Sequence, residues 1–120
     1  MRGIAAYQKV STQSASSERL LVMLYERAIQ DQEEAIALLH EGESVAARPK
    51  LQNVRQIFIE LMTALDEDEA PELTVNLKRL YIWMVRELVR AGRDSDPVPV
   101  AGTLEITREL HAAWVQAVAA

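Results

Sequence analysis

Apolar residues recur in this sequence at helical spacing, and the pattern is longest in its first third. There Leu21, Leu24 and Tyr25 begin a series of apolar residues three or four positions apart that continues to Leu39. Residues spaced in this way lie on one face of an α-helix, which turns once every ~3.6 residues. Such a face has to be buried against other elements. The stretch therefore predicts a long helix, and Gly42 predicts its end.

Three further segments have the same period, and a proline stands near the start of each. Proline is tolerated in a first helical turn, where its missing N–H would have no partner. The predicted helices run from Pro49 to about Leu65, from Pro71 to Gly92, and from Pro97 or Pro99 to about Val118. Short connections make consecutive helices antiparallel. The predicted fold is all-α, an antiparallel up-down four-helix bundle.

The first residues differ from the rest of the chain. Residues 1–14 carry isolated apolar side chains without a sustained period, so we expect a flexible N-terminal arm. Residues 15–120 are expected to form a single helical-bundle domain. A chain of 120 residues is long enough to bury one core.

Enzyme chemistry and metal binding find no support in the residue types. The sequence contains no cysteine, which excludes a thiolate zinc site and a cysteine nucleophile. A di-iron bundle would need glutamate three residues before each ligand histidine, but Ala37 and Arg108 precede His40 and His111 there. We therefore expect no enzyme activity, no metal and no cofactor.

Charge and hydropathy also limit the partners. A net charge of −5 repels a phosphate backbone, so a nucleic-acid partner is not expected. The longest apolar run, Leu20 to Tyr25, is far shorter than the ~20 residues that span a bilayer. Residues 1–9 lack the apolar core of a secretory signal. We expect a cytoplasmic protein without membrane insertion.

The third predicted helix, from Pro71 to Gly92 and called helix 3 below, carries a basic stripe. It is formed by Arg79, Arg86, Arg90 and Arg93. Three interpretations stay open for it: ion pairs with acidic neighbours, contact with an acidic partner surface, and nucleic-acid binding.

Helix 3 also has a second apolar set, Ile82, Trp83, Val85 and Val89, outside its predicted core face. A bundle helix with one buried face does not need such a set. It predicts a wide core face, a homodimer interface or a groove for a partner helix. Composition does not separate these alternatives.

Several blocks of the sequence occur in an order that is typical of one protein family. The first blocks read Gly3-Ile4-x-Ala6-Tyr7-x-x-Val10, Ser14-Ala15-Ser16 and Leu20-Leu21-Val22-Met23-Leu24-Tyr25-Glu26-x-Ala28-Ile29. The later blocks read Ile57-x-x-x-Leu61, Leu65-Asp66, Glu72-Leu73-x-x-Asn76-Leu77-x-x-Leu80-Tyr81-x-x-Met84-x-x-x-Leu88-x-x-Ala91 and Ala113-Trp114. Together they cover most of the chain, which resembles the flagellar secretion chaperones of the FliS family.

The resemblance implies a flagellar export chaperone. Such a protein binds the disordered C-terminal segment of flagellin in the cytoplasm, prevents premature polymerisation and assists delivery to the flagellar type III export gate. The implied partners are flagellin and an export-gate component. The alternative is a structural homodimer, a helical-bundle protein that buries the same apolar surface permanently.

The candidate partner-binding residues combine the second apolar set with positions that match the family. Helix 3 and its neighbours are expected to form an elongated apolar surface, which the arm covers in the free protein. The candidates are Ile4, Tyr7, Tyr25, Asn76, Leu77, Tyr81, Trp83 and Met84.

Overall fold

The computed structural model describes residues 15–119, which form four α-helices. They are α1 (Ala15–His40), α2 (Ser44–Thr63), α3 (Pro71–Asp94) and α4 (Val98–Ala119). Helices α1 and α3 each pack against both α2 and α4. Within this part of the chain there is no strand. The prediction of an all-α four-helix bundle is confirmed.

Each helix contributes one large ring to the centre of the bundle. Phe58 of α2 stacks on Tyr81 of α3, and Tyr25 of α1 meets Trp114 of α4 edge to face, with 5.9 Å between the ring centroids in both pairs. The hydroxyl groups of Tyr25 and Tyr81 also share a hydrogen bond. Smaller apolar residues from all four helices surround the rings and complete the core.

The end of α1 agrees with the prediction from Gly42. This glycine has a φ of +77°, a left-handed conformation that side chains disfavour. Its N–H donates to the Leu39 carbonyl at 3.1 Å, and the Glu43 N–H donates to the Leu38 carbonyl at 2.8 Å. The two bonds form a Schellman motif, which satisfies carbonyl groups at the helix end.

Helix α2 begins at Ser44, so the predicted start at Pro49 is wrong. Pro49 is the sixth residue of α2, so it removes the N–H that would donate to the Val45 carbonyl, and packing of the preceding turn has to offset that loss. The earlier start also buries Ala47 completely against the core. Residues 44–48, which precede the predicted start, therefore form the beginning of α2.

Helix α3 begins at Pro71 as predicted but continues past Gly92 to Asp94. The left-handed residue that ends it is Ser95, with a φ of 52°, and the Asp96 N–H donates to the Ala91 carbonyl at 3.0 Å. A Cβ at Gly92 would lie 3.5 Å from Leu51 Cδ1. The glycine therefore lies where α2 and α3 approach closely.

Helix α4 begins at Val98, between the two prolines that predicted its start. The Val98 N–H donates to Asp96 Oδ1 at 2.9 Å, so this aspartate satisfies one of the amide groups at the helix start. Leu104 and Trp114 of this helix are buried, and Leu110 and Val118 are half-buried.

A buried polar network joins α1 to α4. The Gln32 side chain donates to the Thr107 hydroxyl at 3.0 Å and accepts from the Thr103 hydroxyl at 2.6 Å. All three side chains are fully buried. Because buried polar groups need partners, this network favours a single axial register of the two helices.

A second polar cluster joins α1 to α2. The buried carboxylate of Asp31 accepts from Arg27 Nε at 3.1 Å and from Asn53 Nδ2, and Lys50 Nζ lies 3.9 Å away. Lys50 also pairs with Glu34 at 2.6 Å. These contacts fix the side of α2 that faces α1 and leave its opposite side to face α3.

The acidic connector between α2 and α3 is solvated except at Asp66. Asp66 is buried, and its Oδ1 accepts from the Asp68 N–H at 3.1 Å. Its main-chain carbonyl accepts from the Thr74 hydroxyl at 3.2 Å. Satisfied hydrogen bonds allow this residue to leave water, whereas Glu67, Asp68 and Glu69 remain exposed.

Candidate partner-binding site

Large apolar side chains remain exposed along one side of α3. Ile82 is 40% exposed and Val89 is 48% exposed, and Val75 precedes Ile82 by seven residues. Residues seven apart lie on the same side of a helix, since seven residues are close to two turns. The three side chains therefore form one apolar stripe that the bundle does not cover within the described residues.

The stripe borders a groove between α2 and α3. One end of this groove is lined by Arg48, Leu51, Gln52, Arg55, Val89, Gly92 and Arg93. The close approach of Gly92 to Leu51 forms its floor. Because α2 and α3 are antiparallel, Ile59 on α2 lies farther along the groove, on the level of Ile82. Ile59 is itself 39% exposed, so both walls contribute apolar surface.

Trp83 is 43% exposed, as expected for a residue outside the core face. Successive residues of a helix are about 100° apart around its axis, so Trp83 points away from the groove that Ile82 borders. The sequence had placed the two residues on one surface. In the structure, Trp83 lies on the outer face of α3, next to the stripe.

Four of the predicted contact residues belong to the core. Tyr25, Leu77, Tyr81 and Met84 are all buried. Their side chains are engaged between the helices, and in this arrangement they offer no surface to a partner. They lie behind the groove and support it, and their role in partner binding stays a prediction.

The remaining predicted contact residues have different positions. Asn76 is exposed near the start of α3, beside Pro71, Glu72 and Val75. Ile4 and Tyr7 lie outside the described residues, as does the rest of the predicted arm.

The structure divides the predicted basic stripe of α3. Arg90 forms an ion pair with Glu87 at 2.8 Å, and Arg93 pairs with Asp94 through two hydrogen bonds of 3.0 and 3.2 Å. The bonds from Arg93 lower the pKa of the Asp94 carboxyl. Over residues 15–119, Arg79 and Arg86 form no ion pair. The interpretation as ion pairs with acidic neighbours is thus correct for Arg90 and Arg93 and, in this part of the chain, does not apply to Arg79 and Arg86.

Sequence reasoning missed the contribution of α2 to the groove. Neither Arg55 nor Ile59 is among the predicted contact residues. A signal was present, since Ile59 follows Phe58 directly and so lies off the core stripe. It could not be used without knowing on which side of α2 the third helix packs.

The groove suits the binding of a helical or extended polypeptide better than chemistry on a small molecule. Exposed apolar side chains border it, and arginine side chains line one end. In the described part of the chain, no three acidic or histidine side chains come together as a metal site. None of the four helices has the length and apolarity needed to cross a membrane.

Comparison with known proteins gives the same family throughout. The family model described as flagellar protein FliS matches residues 1–120. The flagellar secretion chaperone FliS of Vibrio cholerae is 31% identical, with 97% of this chain and 89% of the relative aligned. The Salmonella typhimurium chaperone of the same name is 30% identical, over 95% and 88%. The Escherichia coli chaperone of this name is 28% identical, with 94% of this chain and 87% of the relative aligned. The chain therefore belongs to the FliS family of flagellar secretion chaperones.

Proposed function

We propose that this protein binds the disordered C-terminal segment of flagellin in the cytoplasm. Holding this segment prevents premature polymerisation and keeps flagellin available for delivery to the flagellar export gate. The protein acts by binding and performs no chemistry. Support comes from the family and from its relatives, which are named flagellar secretion chaperones.

The observation that carries the proposal is the apolar groove between α2 and α3. Ile59, Ile82 and Val89 are large apolar side chains that remain exposed on its walls. An amphipathic segment can place its apolar face in such a groove and remove both surfaces from water. Each 100 Å² of apolar surface buried in this way contributes about 2.5 kcal/mol before the cost of ordering the client. Because the cost of ordering the client offsets part of this gain, the binding is reversible, and release of flagellin for export requires reversible binding.

Trp83 serves as an additional anchor on the outer face of α3. Its ring is large and partly exposed, and aromatic residues frequently dominate the binding energy of protein interfaces. A client that leaves the groove over Ile82 would cross the outer face beside this ring. Asn76, exposed on the same helix, is a further contact for the client main chain.

The arm completes the proposal. Ile4 and Tyr7 cover part of the apolar surface in the free protein, and the client displaces them. Deletion of residues 1–14 should then leave the denaturation midpoint unchanged and alter the affinity for the client. Loss of folding on deletion would show instead that the arm is part of the core.

The decisive experiment titrates labelled flagellin C-terminal segment from the same organism into the wild-type protein, Ile82→Ala and Trp83→Ala. Val115→Ala is the matched control, because Val115 is 41% exposed but lies on α4. We expect Trp83→Ala to weaken binding by about thirtyfold, the equivalent of ~2 kcal/mol. Ile82→Ala should weaken it less, and the control should bind as the wild type does.

Urea denaturation of each variant separates binding from folding. A several-kcal/mol loss of stability with unchanged affinity would assign Trp83 to the fold and contradict its role as an anchor. Light scattering over a dilution series addresses the alternative of a structural homodimer, because an obligate dimer that buries the groove would remain dimeric on dilution.

A further inference from the structure

The two ends of the α2–α3 groove differ in charge. Ile59 and Ile82 remain exposed farther along the groove, whereas Arg48, Arg55 and Arg93 surround the end near the start of α2. The whole chain carries a net charge of −5, so this concentration of positive charge opposes the average charge of the surface. We call these three residues the arginine end.

The arginine end has more positive charge than its own carboxylates neutralise. Among residues 15–119, neither Arg48 nor Arg55 has an ion-pair partner, while Arg93 is paired with the adjacent Asp94. The one acidic residue of α2, Glu60, accepts a hydrogen bond from Gln56. Two guanidinium groups are therefore free to bind a carboxylate from outside, and guanidinium groups favour bidentate pairing with carboxylates.

The residues that precede the described part offer no acidic segment for this end, and the acidic connector at residues 66–69 lies at the opposite ends of α2 and α3. The fourteen residues before the described part contain Arg2 and Lys9 but no aspartate or glutamate. They can cover apolar surface, but their charge repels the arginine end. Charge complementarity consequently favours a separate acidic polypeptide as the occupant.

We propose that the arginine end binds acidic side chains of an amphipathic polypeptide whose apolar face occupies the rest of the groove. The arginines then fix the direction of the bound segment, with its acidic end beside Arg48 and Arg55 and its apolar part beside Ile59 and Ile82. This inference rests on the proposed function, because it describes which client segments the groove accepts and how they lie.

The test uses two labelled amphipathic peptides that differ only in having glutamate or glutamine in one terminal turn. The intact protein should bind the glutamate peptide about tenfold more tightly at low ionic strength, and salt should reduce this preference. Arg48→Glu with Arg55→Glu should abolish the preference. Arg79→Glu is the matched control, since Arg79 is an exposed arginine about four turns before Arg93.

Two further variants keep the test valid if charge reversal affects folding. Arg48→Gln with Arg55→Gln removes the positive charge without adding negative charge, and it should reduce the preference. Asp94→Asn removes the carboxylate that occupies Arg93, so it should increase the preference for the glutamate peptide. A general loss of structure would lower the preference for the glutamate peptide in every variant. An increase in Asp94→Asn therefore cannot come from unfolding.

The outcomes separate this inference from the proposed function. Equal binding of the two peptides to every variant, with flagellin segment still bound by the wild type, overturns the arginine end and leaves the function intact. Failure of the flagellin segment to bind overturns the function, while the peptide pair still tests the arginine end. A third outcome is a dimeric wild type that becomes monomeric in the Arg48→Glu, Arg55→Glu variant. This result would assign the arginine end to a second copy of the chain and overturn the inference.

Discussion

The hydroxyl groups of Tyr25 and Tyr81 hydrogen-bond to each other at the centre of the bundle and so connect α1 with α3. Both side chains are completely buried. Tyr81 also stacks on Phe58, and Tyr25 contacts Trp114, so the bond lies within a cluster that includes all four helices. Two residues that the sequence offers as candidates for partner contact are thus the central link of the core.

The tyrosine pair gives the first prediction. Tyr25→Phe and Tyr81→Phe should each reduce the free energy of unfolding by about 1 kcal/mol, because each removes one side of a buried hydrogen bond. The double variant should lose less than the sum of the two. Urea denaturation of the four proteins measures this coupling. Strictly additive losses would show that the hydroxyl groups do not interact in solution.

Leu61 tests the core face of α2. Leu61→Ala should reduce the free energy of unfolding by about 2 to 5 kcal/mol, since the side chain is only 3% exposed and its removal leaves a cavity. Ile59→Ala, two residues earlier on the groove side, is the control and should cost less than ~1 kcal/mol. The comparison fails if both variants shift the denaturation midpoint equally.

The buried network of Gln32 tests the contact between α1 and α4. Gln32→Leu should cost about 1 to 3 kcal/mol, because it removes one of the two hydrogen-bond partners of each buried threonine hydroxyl. Adding Thr103→Val and Thr107→Val should recover part of this loss, since the two hydroxyls are then replaced by methyl groups of similar size that need no partner. Thermal unfolding of the single and triple variants measures it. A triple variant less stable than the single one would contradict the explanation.

The pair of Lys50 and Glu34 predicts a pH dependence. Their hydrogen bond lowers the pKa of the Glu34 carboxyl from 4.5 and raises the pKa of Lys50 from 10.5. The pair therefore stabilises the fold between these values. Its contribution to stability decreases as the pH falls below about 4.5, because Glu34 then takes up a proton. It also decreases as the pH rises above 10.5, because Lys50 then loses a proton.

Lys50→Gln measures this contribution. The variant should be less stable than the wild type at neutral pH, and the difference should shrink as Glu34 becomes protonated in acid. Denaturation at several pH values follows the difference, with Glu34→Gln as the companion variant. A difference that stays constant through the acid range would mean that Lys50 stabilises the protein through Asp31 or through packing instead.

The helix boundaries show how far local sequence determines the fold. Pro71 marks the start of α3 correctly, because the residue before a proline is kept out of the helical region, and Ala70 has φ −152° and ψ 71°. Pro49 predicts the start of α2 wrongly, since burial of Ala47 favours an earlier start. Gly92 predicts an end of α3 that Ser95 provides instead. A proline or glycine restricts the local backbone, but packing selects among the conformations that remain.

Periodicity by itself determined that this protein is a bundle of four antiparallel helices, because each amphipathic face has to be buried and short connections bring consecutive helices together. The family was also visible in the order of the sequence blocks. Only the tertiary structure decided which apolar residues of α3 are covered. Tyr81 and Ile82 are neighbours in sequence and both apolar, yet one is fully buried and the other is 40% exposed. The physical reason is that burial depends on the side from which α2 and α4 approach, and the polar contacts of α1 fix that side through residues distant in sequence.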